Sequence, residues 1–116
     1  MATTAKRSIS ISMTGEVSYN QSFAAADNSA APGDIDIFSL TTGDNTISVP
    51  TGGSTVKAAT IIPPSGNTQV IKIKGAGGDT GVNIHKTDPT SLGLDSVSSF
   101  ILNVAGNVTG LRIVWT

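Results

Sequence analysis

Apolar and polar residues alternate from the start of the chain. In the stretch RSISISMT, Ile9, Ile11 and Met13 share one side and Ser8, Ser10 and Ser12 the other. A period of two places a strand here with one buried face. Val17 and Tyr19 continue the pattern past Gly15, with Phe23 further on. The Ala-rich AAADNSAAPG breaks it and reads as a loop or a single helical turn. In DIDIFSL, Ile35 and Ile37 share one face while Phe38 and Leu40 share the other. Either both faces are covered or a bulge shifts the register.

TTGDN reads as a turn, TISV as a short strand and PTGG as another turn. TVKAATII is a strand that PPSGN stops. TQVIKIKG points Ile71 and Ile73 inward and Lys72 and Lys74 outward. Val82 and Ile84 are expected inward on the next strand, and KTDPTSLGLDS is a long irregular connection. Phe100, Leu102 and Val104 form the inner face of one closing strand; Leu111, Ile113 and Trp115 form that of the last. Eight or nine short strands with regularly spaced turns predict an all-β fold, a single antiparallel β-sandwich or barrel. No segment has room for the crossover helices of a parallel sheet. Residues 1–7 are expected to be a flexible N-terminal arm and residues 8–116 one domain.

Composition sharpens this picture. The chain of 116 residues holds 12 Ile, 9 Val and 15 Thr against 5 Leu and a single Glu. β-Branched residues favour pleated, half-buried strands, and good helix formers are scarce. There is no cysteine, so no disulfide, thiolate nucleophile or thiolate metal site is available. A formal net charge of −1 provides no basic field for nucleic acid. No apolar run follows Lys6 and Arg7, so no signal peptide is expected. No apolar run approaches the ~20 residues of a membrane-spanning helix.

The segment GAGGDTGVNIH, residues 75–85, is the natural place to look for a ligand loop. Its glycines fall at 75, 77, 78 and 81, which is not G-x-G-x-x-G, and the residues after them alternate like a strand. No Gly-Lys-Ser/Thr is present, and Asp79 has no companion oxygens spaced to hold calcium. The segment reads as a hairpin in which glycine supplies positive φ. His85 is the only histidine and faces away from Val82 and Ile84. It has no nucleophile beside it in the sequence, and no G-x-S-x-G elbow exists, so no catalytic residue is assigned.

Asp34 and Asp36 project from one side of a strand, as Lys72 and Lys74 do with the opposite sign. Paired carboxylates suit a metal or acid–base chemistry. More often such a pair is the polar side of a strand near an edge, and an Asp face can also meet a Lys face within a sheet or across a subunit boundary. No cofactor is expected. The five aromatic residues fall mostly on inward positions, which leaves little for a sugar platform. Asn20-Gln-Ser and Asn107-Val-Thr match the glycosylation pattern.

The C-terminal third carries a resemblance. GDTGVNIHKTDPTSLGLD, SFILNVAG and the final LRIVWT are similar to the ends of small virion structural proteins of tailed bacteriophages. The similarity spans roughly 45 residues, without a catalytic motif to anchor it. It implies a non-enzymatic, jelly-roll-like subunit made in the host cytoplasm and placed in the virion. A capsid decoration or cement role is expected, with a tail or fibre component binding receptor or glycan as the alternative. The implied partners are the chain itself, as a homotrimer or other ring, and virion proteins such as the major capsid protein. Neither nucleic acid nor membrane is expected as a partner. Candidate interface residues are Asp34, Ile35, Asp36, Ile37, Phe38, Leu40, Lys72, Lys74 and His85, with the arm and loop 24–34 reaching neighbours.

Overall fold

A computed structural model describes residues 3–116. Its strands are β1 (Thr3–Ala5), β2 (Ser8–Met13), β3 (Tyr19–Ala24), β4 (Asn28–Ala31), β5 (Ile35–Leu40), β6 (Gly43–Ser48), β7 (Ala58–Ile62), β8 (Ile71–Lys74), β9 (Val82–Ile84), β10 (Thr90–Gly93), β11 (Ser99–Val104) and β12 (Val108–Trp115). The chain is all-β, and every strand pairing is antiparallel. Among the described residues there are 12 strands rather than eight or nine. The additional ones are β1, β4 and β10, short segments with few large apolar residues. Asn28–Ala31 sits in the Ala-rich stretch and Thr90–Gly93 in the connection expected to be irregular.

Two four-stranded sheets run in the orders β10-β7-β12-β5 and β6-β11-β8-β9. The pairing is nested. β5 pairs with β12, β6 with β11, β7 with β10 and β8 with β9. The second half of the chain therefore returns along the first, strand against strand. Two further ladders, β12 with β7 and β11 with β8, join these pairs sideways into the sheets.

Both sheets contribute to one hydrophobic cluster. Leu40, Ala59, Ile61, Leu111, Ile113 and Trp115 come from the first, and Ile47, Ile71, Phe100, Leu102 and Val104 from the second. These are the inward positions expected for β8, β11 and β12. Phe100 and Trp115 meet tilted, with ring centroids 6.2 Å apart. Burial of each large apolar side chain contributes about 1.5–3 kcal/mol.

A bulge does occur, but on the partner of DIDIFSL. Thr109 stands opposite Ser39 and Leu111 opposite Phe38, so Gly110 is one residue extra. Its φ of +85° suits glycine. The insertion lets Val108 and Leu111, three apart, both enter the core. The expected glycine hairpin is present too: β8 and β9 pair antiparallel across residues 75–81. Val82, expected inward, is instead 67 % exposed; it lies beside the glycine loop at the start of the short edge strand β9, which has a neighbouring strand on one side only.

β1 and β4 form one two-stranded sheet and β2 and β3 another. Residues 1 and 2 of the expected arm lie outside the described residues. Thr3–Ala5 of that arm pair with Asn28–Ala31 of the same chain. The element standing off the core is instead the β2–β3 hairpin. The radius of gyration is 15.3 Å, against about 13 Å for a compact chain near this length.

Candidate interaction surface

The hairpin follows directly from its sequence. Ile9 stands opposite Phe23, Ile11 opposite Gln21 and Met13 opposite Tyr19, so all six share a face. Ser8, Ser10, Ser12, Asn20, Ser22 and Ala24 make the reverse face. There Ser10 Oγ and Ser22 Oγ are 2.8 Å apart, and on the first face Tyr19 donates to Gln21 at 3.0 Å. The alternation predicted a buried face. Among the described residues nothing covers that face: Ile9, Ile11, Met13, Tyr19, Phe23 and the turn residue Val17 are 41–64 % exposed. The expectation that the aromatics serve the core holds for Phe38, Phe100 and Trp115 but not for Tyr19 and Phe23.

The base of the hairpin is tied down. Ala25 N–H donates to the Arg7 carbonyl at 2.8 Å, and Arg7 Nη1 reaches Ser91 Oγ at 3.5 Å. Arg7 and Lys57 border a recess of about 90 Å3 together with Ala5, Ala25, Ala26, Asn28, Ala58 and Thr116. Asn28 is its polar anchor, at 5 % exposure. Asn28 Nδ2 donates to the carbonyls of Thr55 (2.8 Å) and Thr116 (3.4 Å), and its Oδ1 accepts from Ala30 N–H at 3.2 Å. Thr116 Oγ1 is buried without a hydrogen-bond partner among the described residues.

β5 separates the expected interface residues into two sets. Ile35 and Ile37 face outward at 62 % and 71 % exposure. Leu40, expected on an interface, is instead buried in the core, and Phe38 packs against that core. The reason is the second four-stranded sheet, which contributes the other half of that core and covers this side of β5 within the same chain. Asp36 turns inward as well, and its Oδ2 accepts from Trp115 Nε1 at 2.9 Å. The Asp34 carbonyl accepts from Trp115 N–H at 3.2 Å.

The expected Asp-to-Lys meeting does not join Asp34 and Asp36 to Lys72 and Lys74. Lys74 Nζ instead lies 3.0 Å from Asp44 Oδ1, to which Asn103 Nδ2 also donates at 2.7 Å. That Asn103 hydrogen bond, followed by the Lys74 contact, holds the Asp44 carboxyl below its ordinary pKa. Lys72 lies in register with Asn103 and Asn83.

The glycine loop closes on itself. Asp79 Oδ2 accepts from Ala76 N–H at 2.8 Å, Asp79 N–H donates to the Ala76 carbonyl at 3.1 Å, and Lys74 Nζ donates to the Gly77 carbonyl at 3.3 Å. His85 Nδ1 accepts from the N–H groups of Thr87 (3.1 Å) and Asp88 (2.8 Å), so the ring braces the turn after β9. Asn107 Oδ1 accepts from Thr42 N–H at 3.0 Å, which engages that sequon residue in a turn.

Among the described residues no three His, Cys, Asp or Glu side chains gather where a metal would be held. No helix among them is long and apolar enough to cross a membrane. The chain matches no protein-family model, no curated protein and no solved structure.

Proposed function

We propose that the chain is a non-catalytic structural subunit of a tailed-phage virion, acting as a capsid decoration or cement protein. The observation that carries this reading is the apolar surface left open on the hairpin and on Ile35 and Ile37. Surface of that kind marks a protein contact more often than a reaction site. The resemblance of residues 71–116 to virion proteins points the same way. The polar groups best suited to chemistry have structural employment: Asp36 on Trp115, Asp44 on Lys74 and Asn103, and His85 on its own turn.

The nested pairing of β5 through β12 supports a finer statement of the fold. A long antiparallel ribbon, rolled so that its strands fall alternately into two sheets over one core, is a jelly roll. That fold recurs in capsid and lectin domains, and is by itself no proof of function. Subunits of this kind gain stability by burying more surface in a ring, and the chain would work in the virion after synthesis in the host cytoplasm.

Incubating the purified chain with heads that lack it tests the reading. Saturable binding, with heads then surviving heat or osmotic shock that bare heads do not, is the expected result. Failure to bind any head or tail preparation refutes it. A tail or fibre role in glycan binding has one observation in its favour, the exposed rings of Tyr19 and Phe23. Their neighbours on that face are Ile9, Ile11 and Met13, which suit a protein partner better than a sugar. Retention on host surface polysaccharide, lost in Tyr19→Ala, would move the assignment there.

A further inference from the structure

We infer that the β2–β3 hairpin is an exchanged arm, its apolar face covering the outer face of β5 and its neighbours on a second copy of the chain. This rests on the reading of the protein as a self-assembling subunit and names the contact that would do the assembling.

An isolated two-stranded hairpin is marginal in water, and one with a bare apolar face is a docking element without its partner. Large side chains have on the order of 150–250 Å2 to expose. Six of them at 41–64 % exposure therefore present roughly 500 Å2. Ile35 and Ile37 add roughly 200 Å2 on β5. Around them the outer face continues through Val114, paired with Ile35, and Arg112, paired with both Ile37 and Ile62. If each chain gives its hairpin to one neighbour and its β5 face to another, each contact buries roughly 700 Å2 of apolar surface counted over both partners, and the polar surface around it supplies the rest of the ~1,200–2,000 Å2 total of a stable interface.

Charge favours the same match. The hairpin face carries no charged residue, and so offers nothing that repels a second copy. The only Glu of the chain, Glu16, lies in the hairpin turn, while exposed Arg112 lies on the receiving face. Hairpin-on-hairpin packing would leave Ile35 and Ile37 bare. A head-to-tail contact covers both patches, and forms a ring where its rotation closes.

The absence of cysteine makes the test clean. Full-length Ile11→Cys and Ile37→Cys chains are prepared separately, then mixed, re-equilibrated and oxidised. The expected result is a disulfide-linked dimer formed mainly in the mixture, several-fold above either variant alone. Light scattering should show assembly at micromolar wild-type chain, and at least tenfold weaker assembly for Ile35→Ser/Ile37→Ser with its Trp115 emission unchanged. Cross-linking in Ile11→Cys alone that mixing does not increase overturns the inference, as does a strict monomer at 100-fold higher concentration. A monomer that still binds heads sinks this contact and leaves the virion reading standing. An arm-exchanged ring that binds no virion component does the reverse.

Discussion

Replacing Asp36 by Ala should destabilise the chain through a side chain that looks like surface in the sequence. Trp115 is buried, and its indole N–H has Asp36 Oδ2 at 2.9 Å. Hydrogen bonds to charged groups contribute about 1.5–3 kcal/mol, and an abandoned buried donor costs about 1–3 kcal/mol. Asp36 is only half buried, so water can reach part of the site, and the lower half of that range, about 1–2 kcal/mol, is the expected loss. For a chain of this size that corresponds to roughly 3–12 °C in Tm. Asp36→Asn keeps an acceptor and should lose less than about 1 kcal/mol.

The assay is urea unfolding followed by the emission of the single tryptophan, with circular dichroism for variants that lack it. A double-mutant cycle with Trp115→Phe isolates the pair, and a coupling of about 1 kcal/mol or more is expected. Coupling below about 0.5 kcal/mol, or an Asn variant as weak as the Ala one, would refute the assignment of Asp36 to the core hydrogen bond.

Gly53→Ala should lose at least ~2 kcal/mol, because φ there is +85° and an added Cβ would fall against the backbone carbonyl of Val97; a melting curve checks it. Asn28→Ala strands carbonyl and N–H partners at a position 5 % exposed, and should lower stability by about 1–3 kcal/mol in urea titration. Because the folded pKa of Asp44 is depressed, its contribution is present at neutral pH and disappears as pH falls through that folded value. Asp44→Asn should therefore lower the urea midpoint at neutral pH and make little difference at the acid end.

Much of the core was legible in the alternation of β8, β11 and β12, since a strand with one buried face must repeat every second residue. The glycine hairpin was legible for the same reason. β4 was not, because Asn, Ser and Ala form a strand there without marking a face, and β10 was not, because Leu92 is its only large apolar residue among turn formers. The single glycine at 110 was the one available signal for the bulge, and its effect could be placed only once β5 was known to lie beside β12.

The sequence by itself determined that this chain is built of antiparallel strands and tight turns, and which residues of its central strands must be dry. It also determined the alternating apolar face of residues 8–13, continued by Val17, Tyr19 and Phe23. Only the tertiary structure decided which side of Ile35–Leu40 meets the core, that Asp36 serves Trp115, and that the hairpin face has no cover among the described residues. The physical reason is that periodicity says a face avoids water but not what excludes the water. Strand order rests on hydrogen bonds between residues far apart in sequence. An apolar face to be covered by a second copy alternates in the same way as one covered by its own sheet.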